Sequence, residues 1–242
     1  MAAIRHLSRP PITEALVDFR VSLPGAFKPE AFTSLRDTIK YRYPNMEEMR
    51  RFEAQIQIEL GKSVAAQQET TGLLGYRFRS EDGKDVAQFR TDGFTYNRLE
   101  PYTSWEEVRP EAMRLWQLFL EKTAAARVDR LALRYINRLT LPPRGNLQEH
   151  LDMLPPVFKG APSVLAEYLV QVSSVDVGTG DRANVTSALV GGGVTLLDIE
   201  VSNTGTTGVT AQEIDPVLGR LHTMKNEIFF GTITEQTAER YQ

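Results

Sequence analysis

The sequence contains no cysteine, which excludes disulfides, thiolate nucleophiles and cysteine-ligated zinc or iron–sulfur sites. It has only three histidines, His6, His150 and His222, and they lack the spacing of metal ligands. No apolar run approaches the ~20 residues of a membrane helix. Residues 1–9 also lack the apolar segment of a signal peptide. We therefore expect a cytoplasmic protein with no metal, no cofactor and no membrane partner.

Neither sign of charge is in large excess. The chain has 28 lysines and arginines against 31 aspartates and glutamates, a formal net charge of −3. Dedicated nucleic-acid binders usually carry a basic excess, so nucleic acid is not the expected partner, although a local basic patch is compatible with this balance. The content of 41% apolar and 24% charged residues is ordinary for a globular domain, and 242 residues can bury a sizeable core.

Residues 130–142 form the most informative stretch, because they alternate with the period of a β-strand. One set of alternating residues predicts a core face: Leu131, Leu133, Tyr135, Asn137, Leu139 and Leu141. The other set carries three guanidinium groups: Arg130, Ala132, Arg134, Ile136, Arg138 and Thr140. The sequence thus predicts a strand with one buried face and one arginine-rich face.

Strands and helices are predicted on both sides of this stretch from apolar periodicity and from turn residues. Before it, we expect strands at 14–23, 52–60, 73–80, 86–91 and 94–99, and helices at 29–42 and 104–126. After it, we expect strands at 163–177, 184–190 and 194–201, and helices at 147–153, 210–230 and 234–241. Gly191–Gly193 is predicted to be a hairpin turn, since a phosphate-binding loop should lead into a helix.

The two long helices begin alike, which indicates an internal duplication. Ser104, Glu107 and Pro110 recur as Thr210, Glu213 and Pro216, 106 positions later, and each start fits a capping box. The strand exits at 20–24 and 138–142 also match, 118 positions apart. We predict an α+β fold with a duplicated strand–helix–antiparallel strands–helix unit. The repeats would span 1–127 and 128–242 in one compact domain, with a mainly antiparallel sheet and helices on one face.

Three short motifs carry a resemblance to a known family. They are Pro10-Pro-Ile-x-Glu-Ala15, Arg134-Tyr-x-Asn-Arg138 and His222-x-x-Lys-Asn-x-x-Phe229. Together they resemble a sporadically distributed family of uncharacterised bacterial proteins of about this length. That resemblance implies no activity and no catalytic residue. Its patchy distribution implies an association with mobile or defence-related genes.

The candidate ligand-binding residues are Glu14, Arg20, Arg134 and Arg138 of the arginine face, together with Asn137 of the same central strand as Arg134. One interpretation is structural: Glu14 and Asp18 would pair with Arg134 and Arg138 across neighbouring strands. The other is functional, because arginine forks bind phosphates and carboxylates bidentately. We favour the structural interpretation and keep the functional one as the alternative.

No catalytic constellation emerges from the sequence. It contains no Gly-x-Ser-x-Gly motif. Asp198 and Glu200 could belong to the metal site of a tunnel-shaped triphosphate enzyme, but the other predicted strands supply few acidic residues. Glu14 could act as a general acid or base, although pairing with an arginine is the expected role. His222 matches Trp116 in the proposed repeat and is expected to pack on its helix.

We therefore expect a non-enzymatic binding or adaptor protein of a bacterial system, with a protein partner or a second copy of itself. The alternative is a sensor or an enzyme for an anionic small molecule, such as a nucleotide, bound over the arginine strip.

Overall fold

The computed structural model describes residues 1–23, 25, 27–57, 65–142, 146–156, 158–160, 162, 165–190, 192–205 and 208–242. Of residues 52–57 and 65–71 it describes the backbone only. Among the described residues, no helix is both long and apolar enough to cross a membrane.

Nine strands and four α-helices make up the described fold. The strands are β1 (Ile12–Arg20), β2 (Asn45–Gln57), β3 (Ala65–Arg79), β4 (Asp85–Arg90), β5 (Gly93–Leu99), β6 (Arg130–Thr140), β7 (Tyr168–Val175), β8 (Asp181–Leu189) and β9 (Val194–Asn203). The α-helices are α1 (Leu35–Ile39), α2 (Trp105–Thr123), α3 (Ala211–Thr232) and α4 (Glu235–Glu239). Two 3₁₀ segments, Pro29–Ser34 and Leu147–Glu149, complete the elements.

All nine strands join one sheet in the order β2-β3-β4-β5-β1-β6-β9-β8-β7, and every described pair is antiparallel. The prediction of an α+β fold with a mainly antiparallel sheet is therefore confirmed. Strands β1 and β6 lie at the middle. On each side of this pair, the strand that directly precedes a long helix comes next, β5 before α2 and β9 before α3.

The apolar core lies on one face of the sheet, under α2 and α3. The six residues of β6 and its exit that were predicted to face inward are all at most 2% exposed. In the first half, Trp116 of α2 stacks on Phe19 of β1 with 4.4 Å between ring centroids, and Phe119 stacks on Trp116 at 5.2 Å. Most of the described buried apolar residues of both halves belong to one cluster. The alternation of side chains with a period of two therefore predicted the buried face of β6 correctly.

Several predicted boundaries were wrong. The helix expected at 29–42 is a 3₁₀ turn followed by the short α1, and Pro29 begins it. The helix expected at 147–153 ends at Glu149, because Leu151 makes a β-bridge to Ile233 instead. Strand β7 starts only at Tyr168 and β2 already starts at Asn45. The inward residues predicted at 52–60 lie outside the side chains described, as does Gly191.

The helix starts match the sequence in part. Thr210 and Glu213 form the expected capping box, and Thr210 N donates to the Glu213 carboxylate at 3.2 Å. The matching box at Ser104 is absent, because the Ser104 side chain makes no capping bond. Pro110 and Pro216 lie inside continuous helices, so neither proline restarts its helix.

Gly75 illustrates how closely the strands pack. A Cβ at this position would lie 2.0 Å from the carbonyl oxygen of Phe89 on β4, whereas a Cβ at Gly219 in α3 would meet nothing within 4 Å. Gly75→Ala should therefore destabilise the protein by roughly 2 kcal/mol or more, because backbone must move. Gly219→Ala, on the exposed side of a helix, should stabilise it by about 1 kcal/mol. Urea unfolding of both variants checks this, and equal midpoints would contradict it.

Candidate functional site

The arginine-rich face of the sheet lies opposite the helices. Strand β1 brings Asp18 and Arg20 to this face, and β6 brings Arg130, Arg134 and Arg138. Leu16 is paired with Arg134 across the central strands, and Arg134 is paired with Glu200 across β6 and β9. Arg134 thus has an acidic neighbour on β9 but not on β1, and Arg20 of β1 lies opposite Arg130.

Asp18 is the centre of the ionic contacts on this face. Its carboxylate is only 8% exposed and accepts from Thr95 Oγ1 at 2.5 Å, Arg90 Nη2 at 3.1 Å and Arg20 Nε at 3.0 Å. Arg130 approaches the same carboxylate at 3.5 Å. Three guanidinium groups from three strands therefore converge on one buried carboxylate, which satisfies the requirement that a buried charge be paired.

Carboxylates elsewhere on the sheet complete the network. Asp198 accepts two bonds from Arg134, at 2.9 and 2.5 Å, and Glu200 lies 2.8 Å from Arg130. The pKa of the Arg134 guanidinium is raised above its ordinary value, chiefly by its hydrogen bond to Asp198. Asp92 accepts from Arg20 at 2.6 Å and from Arg90 at 2.9 Å. Cations and anions on this part of the face thus balance one another.

The partners differ from those that the sequence suggested. Arg134 pairs with Asp198 of β9, not with Glu14 or Asp18, because β6 has β9 as its other neighbour. Glu14 accepts from the side-chain amide of Asn97 on β5. Arg138 is exposed, and no ion pair of its side chain occurs among the described residues. Asn137 lies on the opposite, buried face, where its amide donates to Leu197 O at 3.0 Å. The five candidate residues therefore do not form one site.

A cavity of about 280 Å³ opens near Asn137, between the N-terminal segment, the start of α2 and the middle of α3. We name it the Lys225 pocket. Its lining is mixed: apolar and aromatic residues surround a few polar groups. Its polar members include Ser104, Glu106, Asn137, His222, Lys225 and Asn226. Concave sites of this composition are typical of small-molecule binding.

Lys225 has unusual surroundings for a lysine. Only 7% of the residue is exposed, and its Nζ lies 3.9 Å from the centre of the Tyr135 ring. Nζ donates to Asn226 Oδ1 at 2.6 Å, but no carboxylate is within ion-pairing distance in the part of the chain that the structure describes. Burial lowers the pKa of Lys225 to about 7. The ammonium is therefore a buried charge without a counter-ion.

The neighbours of Lys225 in the pocket add polar surface but little positive charge. The His222 ring stacks on Trp105 at 4.5 Å between centroids. Burial, together with the nearby Lys225 charge, lowers the pKa of His222 to about 4, so this ring is neutral at pH 7. Hydrogen bonds lower the pKa of Glu106, which is therefore anionic. His222 was expected to pack on its helix, and in the structure it packs against Trp105 at the start of α2.

Residues of all three sequence motifs meet at this pocket. Pro10-Pro-Ile12 lines one side, Asn137 lies at the base, and His222 to Phe229 supplies the α3 side. Lys225 was not among the ligand-binding residues predicted from the sequence, although the sequence contains a signal for it. Leu218, Leu221, Lys225 and Phe229 follow one helical stripe, and all are buried, so a lysine interrupts an apolar stripe.

Comparison with known proteins adds no functional information. No protein-family model matches the chain, and no curated protein matches it. Among the residues described, no group of three or more histidines and acidic residues is placed to hold a metal ion.

Asp18 should contribute more to stability than the more exposed carboxylates of this face. Asp18→Asn removes the buried carboxylate that Arg20, Arg90 and Arg130 share and leaves Asp92 and Glu200 as their remaining anions, so we expect a loss of about 2–3 kcal/mol. Asp198→Asn breaks the Arg134 pair, whose two side chains are 25% and 41% exposed, and should cost no more than about 1 kcal/mol. Urea midpoints measure both, and a similar loss for the two variants would contradict the assignment.

Lys225→Met should stabilise the fold, because it removes an unpaired buried charge and puts an unbranched apolar side chain in its place. We expect a gain of roughly 1–3 kcal/mol near pH 7. The folded pKa, about 7, is below the ordinary value of 10.5, so the unfolded chain binds more protons between these limits. Stability of the natural protein therefore rises with pH in this window.

The matching measurement is urea unfolding of both proteins from pH 7 to pH 10. The advantage of Lys225→Met should shrink as pH rises, because the natural lysine becomes neutral. A variant less stable than the natural protein at pH 7 would show that Lys225 has a structural role.

Proposed function

We propose that the protein is a non-enzymatic binding protein of the adaptor type, which joins protein chains through one edge of its sheet. The proposal rests on strand β7, which is the last strand in the sheet order and therefore forms one edge of the sheet. Leu169 is 71% exposed, Val172 50% and Val175 47%. A sheet edge presents unpaired N–H and C=O groups that can accept a further strand.

The two edges of the sheet differ in charge. Strand β7 contains no charged residue and no proline over its eight residues. The other edge, β2, carries Glu47, Glu48, Arg50 and Arg51 within its first seven residues. Charged side chains are a common means of preventing edge-to-edge association, so β2 is protected in a way that β7 is not.

A second copy of the chain is the partner that fits this edge. Because β7 is uncharged, antiparallel pairing of two β7 strands brings no like charges opposite each other. Such pairing generates a dimer with one continuous sheet and two-fold symmetry. Two-fold symmetry is the commonest symmetry of homo-oligomers. The exposed Leu169 and Val175 would then gain cross-strand neighbours.

The duplicated architecture predicted from the sequence belongs to the same proposal. An offset of 118 equates Leu16 with Arg134, and these two residues are register partners in the central pair. An offset of 106 equates Arg109 with Asp215, and these two form an ion pair at 2.7 Å. Contacts between equivalent positions are what a two-fold axis between repeats requires, so both support the duplication.

A structural role of the arginine face, in ion pairs within the sheet, is part of this proposal. Arg20, Arg90, Arg130 and Arg134 bind carboxylates of the sheet itself, which supports a structural role over capture of an external anion. A cytoplasmic location and a link to bacterial defence or mobile elements remain predictions. The latter rests on the family resemblance and predicts such genes beside this one.

Size-exclusion chromatography with light scattering tests the edge proposal. We expect a dimer for the natural chain and a monomer for Val172→Lys, which places a charge on the β7 edge. The matched control is Glu48→Lys on the β2 edge, which should remain dimeric. Hydrogen exchange should show that the β7 amides not bonded to β8 are protected in the dimer only. A monomeric natural chain in which these outward-facing β7 amides exchange rapidly would refute the proposal.

A further inference from the structure

We propose that the Lys225 pocket is a binding site for a small monocarboxylate with an apolar or aromatic body. The site combines a cavity of about 280 Å³, a buried ammonium with no carboxylate partner among the described residues, and a lining that mixes apolar, aromatic and polar residues. It lies on the opposite face of the sheet from the arginine strip. The inference is independent of strand addition at β7.

The charge of the pocket indicates an anion, and a singly charged one. Lys225 is the buried cation that no described carboxylate neutralises. Arg5 also lines the pocket, but it is paired with Glu235. Glu106 adds a negative charge at the rim, which disfavours a dianion such as a phosphate monoester. One carboxylate therefore matches the available charge.

The shape and lining indicate what the carboxylate is attached to. Ile12, Phe229 and Phe230 present apolar surface, and the Trp105–His222 stack presents an aromatic edge. The hydroxyl of Ser104 lies beside these surfaces, whereas both N–H groups of the Asn137 amide are already bonded to Tyr135 O and Leu197 O. Ligands of such pockets gain affinity mainly from apolar contact and gain specificity from a few polar groups.

The corresponding place in the first half is filled by aromatic rings. If the duplication proposed above is accepted, the same two offsets equate Asn137, His222 and Lys225 with Phe19, Trp116 and Phe119. In the first half these three rings form a stack, with centroids at 4.4 and 5.2 Å. The second half thus replaces a stable aromatic stack by three polar groups around a cavity. Packing alone gives no reason for that replacement.

The proposal predicts a defined pH dependence. Burial lowers the pKa of Lys225 to about 7, and a bound carboxylate should raise it, so binding takes up a proton. Affinity should be constant below pH 7 and fall by up to about tenfold per pH unit above it. Other titratable groups face Lys225 from the surrounding elements, and those that line the pocket or contact the lysine are Arg5, His6, Tyr102, Glu106, Tyr135 and His222.

The test is a nuclear magnetic resonance titration of the full chain with sodium benzoate, sodium phenylacetate, benzamide and phenyl phosphate. We expect saturable shifts at the amides of Asn137 and Asn226 for the carboxylates, with weaker binding of benzamide and phenyl phosphate. Lys225→Met should weaken carboxylate binding at least about tenfold. The matched control Lys122→Met, on α2 and outside the pocket, should bind as the natural chain does.

The pH series on the natural chain gives a second readout that needs no variant. Equal binding of benzamide and benzoate, tighter binding of phenyl phosphate, or affinity unchanged from pH 6 to pH 9 would each overturn the proposal. So would the absence of saturation by either carboxylate. Failure here leaves the dimer measurement unaffected, because β7 and the pocket share no residue.

Discussion

The antiparallel pairing of β1 with β6 is the interaction on which the rest of the structure depends. It places two alternating strands in register, so that Val17 and Leu133 share the buried face while Asp18 and Ala132 share the other. The remaining strands extend the sheet outward from this pair on both sides. One face can then be covered by α2 and α3, and the other can be held by ion pairs. A shift of the register by one residue would bury the charges and expose the rings.

The two faces are stabilised by different physical means. Under the helices, aromatic stacking and apolar burial contribute in proportion to the area removed from water. On the opposite face, a buried carboxylate is tolerated only because several guanidinium groups surround it. The polar residues of the Lys225 pocket follow neither pattern, since the ammonium is buried on the helix face and no carboxylate of the described residues pairs with it. This contrast is what separates the pocket from the rest of the molecule.

The sequence predicted those properties that local periodicity encodes. Leu131, Leu133 and Tyr135 were assigned to the core because a strand alternates its side chains with a period of two. The partner of Arg134 was not predictable in the same way. Asp198 lies 64 positions later, and only the order of the strands in the sheet makes it a neighbour. The Lys225 pocket depends on four distant segments of the chain, and its one local signal was a lysine within the apolar stripe of a helix.

The unequal charge on the two margins of the sheet would limit how large an assembly could grow under the proposed pairing. Because β2 carries acidic and basic side chains and β7 does not, chains would add at the β7 margin only. Pairing through β7 would cover that margin on both members and expose no further uncharged margin. Under the proposal, association would therefore end with two chains and would not extend into fibres.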